Sequence, residues 1–258
     1  MNQDSNLLWL SVSPHLKCFD KRLLAQLAKV WPVRHWAYSQ SIDEPCCTEV
    51  AVAALHEYIS DRAALEQRAG NQEYKVHLLG HGVSGAIALL YARQHPERVA
   101  SLTLLSVNAR PSLNWQAYYY ALRARLPCSR EAILTRISQS LLGNQPVRLR
   151  KALSELLRKD LDSNLTLHSL VHHSAISSGS TEVPLLVCNG ARDPVVFNGG
   201  QTHSQESWHN EMKVGDRLWQ CPEGNHFFHF RHAKETADVI TEYISNLSCL
   251  ASIQLKSC

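Results

Sequence analysis

The stretch KVHLLGHGVSGAIALLYARQHPERV, Lys75 to Val99, constrains the fold more than any other part of the chain. An apolar run ends in closely spaced glycines, Gly80, Gly82 and Gly85. Val83, Ile87 and Leu90 then recur at helical spacing until Pro96 stops the helix. A buried strand that turns at once into a helix is the building unit of a parallel sheet, where each helix carries the chain back to the next strand's start.

The unit recurs. Short apolar runs lie at LLWLSV (7–12), VRHWAY (33–38), YKVHLLG (74–80), ASLTLLSV (100–107), VPLLVCNG (183–190) and RLWQCP (217–222). Between them stand helical patterns, such as Phe19, Leu23, Leu27 and Val30, or Ala233, Ala237, Ile240 and Ile244. The expected class is α/β, a mostly parallel sheet of about six strands with helices on both faces. One segment breaks the alternation: residues 108–182 hold helical patterns only, among them EAILTRISQSLL and RKALSELLRKDL. At 258 residues the chain is expected to form one domain, a core of 1–107 and 183–258 with a helical insertion at 108–182.

Charge and cysteine content narrow the functional classes. A net charge of +3 is too small for a nucleic-acid binder. Its distribution is uneven, since residues 108–181 hold ten Lys/Arg against four Asp/Glu. No apolar run approaches the roughly 20 residues of a membrane span. The opening MNQDSNLLWLSVSP carries Asp4 and no basic leader, so it reads as a first strand rather than a signal peptide. The eight cysteines are scattered without a C-x-x-C pair, which predicts reduced thiols, a cytoplasmic location and no zinc framework. No metal and no cofactor is expected. His168 and His172, four apart with His173 beside them, lack a third ligand nearby and read as a polar helix face.

Ligands of open α/β sheets bind beyond the carboxyl ends of the strands. Three segments stand there: Gly80-His81-Gly82-Val83-Ser84-Gly85, Gly190-Ala191-Arg192-Asp193-Pro194, and Glu223-Gly224-Asn225-His226. With them the chain resembles the α/β-hydrolase superfamily, in its esterase- and lipase-like branch. HLLGHGVSGAIALLYARQHPERVASLTLLSV is similar to that family's GHSxGG turn, VPLLVCNGARDPVV to its acid loop, and EGNHFFHF to its histidine loop. The family order of nucleophile, acid and histidine falls on Gly82, Asp193 and His226.

The resemblance implies a nucleophile where this chain has glycine. Acyl transfer needs a side chain that imidazole can activate within hydrogen-bond reach, and Gly82 offers none. Ser84 is the alternative nucleophile, although its register puts it inside the helix with its hydroxyl expected to face away from the histidine. The family's oxyanion loop is HG, where this chain reads Ser11-Val12-Ser13; the backbone N–H groups of Ser13 and Val83 are the candidate donors. A glycine at position 82 also relieves the strain that a turn of this kind imposes on any residue with a Cβ.

The insertion stands where the family has a lid. Trp115 and Tyr119 share a helical face with Leu122, whereas Arg123 and Arg125 fall on others. This suits a pocket for a small apolar molecule with an anionic end, or a surface for a protein partner. Two readings remain open at this stage: a protein impaired as a serine hydrolase that binds a ligand or partner, and an enzyme. The enzyme would be a hydrolase using Ser84 or water, or a lyase or oxygenase-like catalyst built on Asp193 and His226.

Overall fold

The computed structural model describes residues 6–38, 47–70, 74–111, 114–162, 176–177, 179–196 and 208–254. All six expected strands form: β1 (Asn6–Ser11), β2 (Val33–Ala37), β3 (Val76–His81), β4 (Val99–Leu105), β5 (Leu185–Gly190) and β6 (Arg217–Cys221). They lie in one sheet in the order β2-β1-β3-β4-β5-β6. Every neighbouring pair is parallel. The order reverses between β1 and β3, so their carboxyl ends frame the crevice where ligands of such sheets bind.

Side-chain alternation sends each strand's residues to two cores. Leu8, Leu10, Leu78, Leu102, Leu104 and Val187 face α2 (Thr48–Arg68) and α3 (Val83–Gln94) on one side. Leu7, Trp9, Leu79, Leu105, Leu186 and Cys188 face α1 (Lys21–Leu27) and the C-terminal helix Ala233–Gln254 on the other. Helix α1 stops at Leu27, and Val30, expected on its buried face, is 59% exposed.

Helix α3 approaches the sheet closely because two glycines meet there. A Cβ built on Gly80 would lie 2.7 Å from Gly85 N, and one on Gly85 would lie 2.8 Å from Gly80 O. Neither distance is tolerable, so side chains at these positions would force the helix outward and displace the turn between them.

The segment between β4 and β5 supplies three helices, α4 (Trp115–Arg125), α5 (Arg130–Leu142) and α6 (Val147–Asp162). Asn114 caps α4 by accepting from Ala117 N–H at 2.8 Å. Ser129 caps α5 through Ala132 N–H at 3.2 Å. These helices close over a third apolar cluster that joins Trp115, Tyr119, Ile137 and Leu157 to Leu16, Phe19 and Phe227 of the core. His168, His172 and His173 lie outside the described residues. Among the described residues no helix is long and apolar enough to cross a membrane.

Candidate functional site

The loops after β3, β5 and β6 converge. At the tip of the first, Gly82 has φ 53° and ψ −122°, and its N–H donates to Leu105 O at 2.9 Å. That backbone region costs a residue with a Cβ about 1–3 kcal/mol and costs glycine little. Asp193 and His226 meet behind it, buried at 0% and 1% exposure. His226 Nδ1 lies 3.0 Å from Asp193 Oδ2 and 3.2 Å from Oδ1. Asp193 Oδ1 also accepts from Val195 N–H at 2.9 Å and Val196 N–H at 3.3 Å.

A carboxylate can only accept, so a proton sits on His226 Nδ1, and Nε2 is the ring atom left to face the turn. That Nε2 is buried and has no hydrogen-bond partner among the described residues. A Cβ built on Gly82 would lie 3.8 Å from it. The glycine, the imidazole and the carboxylate are thus brought into line.

The histidine loop is held from below. The His226 carbonyl accepts from Ser106 Oγ at 2.7 Å and from His81 Nε2 at 3.0 Å. Ser106 follows β4 with φ 51°, the one positive value outside glycine among the described residues. His81 packs against the rings of both His226 and His229, with centroids 4.8 and 4.6 Å away. Burial pushes the His81 pKa well below the ordinary imidazole range, and the neighbouring His229 and His226 push it the same way. A neutral His81 with its proton on Nε2 follows. Beside it lies a second, partly buried carboxylate–imidazole pair: Asp20 Oδ1 stands 3.0 Å from His229 Nε2, and Trp9 Nε1 donates to Asp20 Oδ2 at 3.1 Å.

Ser84 lines the cavity over Gly82. Its Oγ accepts the N–H of Val12 at 3.0 Å, tying helix α3 to the loop after β1. Ser13 and Val83 both line the cavity over Gly82. The Val83 N–H, first in its helix, has no acceptor within that helix. The cavity is about 30 Å³, room for a water molecule or two. Trp115 and Gln116 form part of its wall, but Tyr119 does not. Tyr119 packs instead into the apolar cluster under α4–α6, with residues of the core and of these helices. No lysine or arginine lines the cavity among the described residues, Arg123 and Arg125 included.

The sequence reading missed one more polar feature. Gln116 Nε2 donates to Asp160 Oδ2 at 2.9 Å, joining α4 to α6 with both residues buried. Burial raises the Asp160 carboxyl to about 6. No spacing rule connects residues 116 and 160, and the signal that could have found them is weak: a glutamine and an aspartate on otherwise apolar helix faces.

Comparison with known proteins gives the family and the fold. The model of the family described as "Serine aminopeptidase, S33" matches residues 46–228. The chain is 38% identical over 251 residues to "Uncharacterized protein sll0249" of Synechocystis sp., covering 96% of this chain and 93% of that one. Among solved structures, a meta-cleavage product hydrolase from Pseudomonas fluorescens superposes with a TM-score of 0.66 at 13% identity, covering 94% of this chain and 91% of the other. A lipase-esterase related protein from Clostridium acetobutylicum gives 0.66 at 16% identity, covering 94% and 95%. At such identities the structures speak for the fold alone. Family match and fold agree: the chain belongs to the serine aminopeptidase S33 family of the α/β-hydrolase superfamily.

Proposed function

We propose that this chain is an α/β hydrolase that forms no acyl-enzyme, because the nucleophile position of its turn is taken by Gly82. The observation that carries the reading is the unfilled approach to His226: Nε2 is buried without a partner among the described residues, and the residue pointing at it has no side chain. Ser84 does not fill the role in this reading: its Oγ accepts from Val12 N–H, and no hydrogen bond joins it to His226 among the described residues. Helices α4–α6 act as the lid in this reading. What remains is non-covalent recognition under that lid of a small molecule, largely apolar, with Trp115 against it, or of a protein partner. The cavity as it stands holds little more than water, so a larger ligand enters by displacing the lid's inner wall. The described cysteines, Cys188 and Cys221 among them, are unbridged, which supports a reducing compartment such as the cytoplasm.

A fluorophosphonate probe tests this directly. The native chain should stay unlabelled by intact mass, and a label mapped to Ser84 would overturn the reading.

A second reading has its own observation. An imidazole oriented by a buried carboxylate, its Nε2 without a partner among the described residues and facing a water-sized space, is placed to act as a general base on water or on an acidic ligand proton. In that case hydrolysis of activated esters proceeds without labelling and disappears in His226→Ala. Turnover that survives His226→Ala excludes this pair as its source.

A further inference from the structure

We propose that Cys221, His232 and Glu235 form a divalent-metal site of the zinc class, which clamps the two ends of the loop carrying His226. The Cys221 thiol, a ring nitrogen of His232 and a carboxylate oxygen of Glu235 lie within 4.8 Å of one another. His232 Nδ1 and Glu235 Oε2 are already 3.4 Å apart. Tetrahedral zinc, with its bonds of roughly 2.0–2.3 Å, holds ligand atoms about 3.3–3.8 Å apart, so closure of about 1 Å completes the set.

The three positions are fixed by the fold rather than by loose side chains. Cys221 ends β6, fully buried, and its carbonyl accepts from Ala191 N–H at 2.8 Å and Gly224 N–H at 3.1 Å. His232 closes the short helical turn Phe228–Arg231, with its N–H on Phe228 O at 2.8 Å. Glu235 stands in the first turn of the helix Ala233–Gln254. His232 and Glu235 keep solvent access, with side-chain exposures of 27% and 51%, which gives an ion its entry.

An ion pair three residues apart at the start of a helix is ordinary by itself. The buried thiol behind it is not accounted for by that pair. Thiol, imidazole and carboxylate, the first buried and the other two reachable from solvent, are gathered around one point. A dication bound there would take the sulfur as thiolate, its proton leaving to solvent. Thiolate, imidazole and carboxylate together favour zinc over magnesium or calcium. Three protein ligands leave a fourth position for water or an exogenous ligand. The loop between the ligands contains His226 and His229, so occupancy would fix the placement of His226 against Asp193. The proposal stands whether or not Gly82 abolishes covalent chemistry.

The test uses the purified full chain, stripped with a chelator and titrated with Co²⁺. A thiolate-to-cobalt charge-transfer band with tetrahedral d–d bands is expected, displaced by Zn²⁺, and the charge-transfer band should vanish in Cys221→Ser. Because burying a serine hydroxyl there can unfold the chain, Glu235→Gln at the exposed ligand is the second variant. It should weaken Co²⁺ binding by at least about tenfold, the loss typical even of an outer-shell partner, with the metal-free circular dichroism unchanged. No charge-transfer band in the native chain, an undiminished band in folded Cys221→Ser, or unchanged affinity in Glu235→Gln would each overturn the site.

Discussion

Gly82 and His226 face each other across 3.8 Å, measured from a Cβ built on the glycine to the imidazole Nε2. A hydroxyl one bond beyond that Cβ comes within hydrogen-bond reach of Nε2, whose other face is oriented by Asp193. Gly82→Ser should therefore acquire fluorophosphonate labelling at residue 82, and adding His226→Ala should remove it. The serine must adopt φ near 53°, which should lower stability by about 1–3 kcal/mol in urea unfolding. A folded Gly82→Ser that stays unlabelled would mean that more than residue 82 separates this site from covalent chemistry.

Ser84 acts structurally in this arrangement. Its Oγ is the acceptor for the buried Val12 N–H, and Ser84→Ala leaves that donor unsatisfied at a cost of about 1–3 kcal/mol. In the Gly82→Ser background, Ser84→Ala should be less stable yet still labelled at residue 82. Loss of labelling with the fold intact would show that the Val12 tie also shapes the oxyanion loop around Ser13 and Val83.

Much of this site could be read before any coordinates. Gly82, Asp193 and His226 were legible because each stands in a turn directly after a strand, and a parallel sheet brings all such turns to one edge. The four inner strands β1, β3, β4 and β5 were legible because burial on both faces writes nearly continuous apolar runs, whereas the edge strands β2 and β6 are only partly buried and carry weaker runs. Periodicity failed where it gives a face without saying what lies opposite. It put Trp115 and Tyr119 together, yet of the two only Trp115 lines the cavity, while Tyr119 belongs to the apolar cluster beneath the three helices. Ser106, the Asp20–His229 pair and the Gln116–Asp160 pair left no pattern, because their partners are far away in the chain and each is a common residue type in an unremarkable context.

Ser106 is a positioning residue for His226. Its backbone is held at φ 51° while its hydroxyl donates to the His226 carbonyl at 2.7 Å. Ser106→Ala keeps the strained backbone and deletes the bond, so stability should fall by about 1–2 kcal/mol. In the Gly82→Ser background the labelling rate should drop while its pH profile keeps the same shape, since His226 remains the base but sits less firmly. Ser106→Thr, which keeps a hydroxyl, should restore the rate in part. An unchanged rate in Ser106→Ala would assign the bond to folding alone.

Asp160 and His77 shape the acid response in opposite directions. The Asp160 carboxyl is raised from 3.8 to about 6 by burial, against the favourable bond from Gln116. Between those values the folded state keeps a proton that the unfolded chain has released, so this group makes stability fall as pH rises and penalises the fold fully above pH 6. His77 is lowered from 6.5 to about 4 by burial. There the unfolded chain takes up the proton first, so stability is complete above pH 6.5 and is lost as pH falls towards 4. Asp160→Asn retains an acceptor for Gln116 and removes the charge. It should gain about 1–3 kcal/mol at pH 7, lose that advantage below pH 4, and show a steeper decline on acidification because the histidine term is no longer offset. Urea unfolding of both chains at pH 7 and pH 4.5 measures the difference, and equal stability at pH 7 would show that Asp160 is not carried as a buried charge.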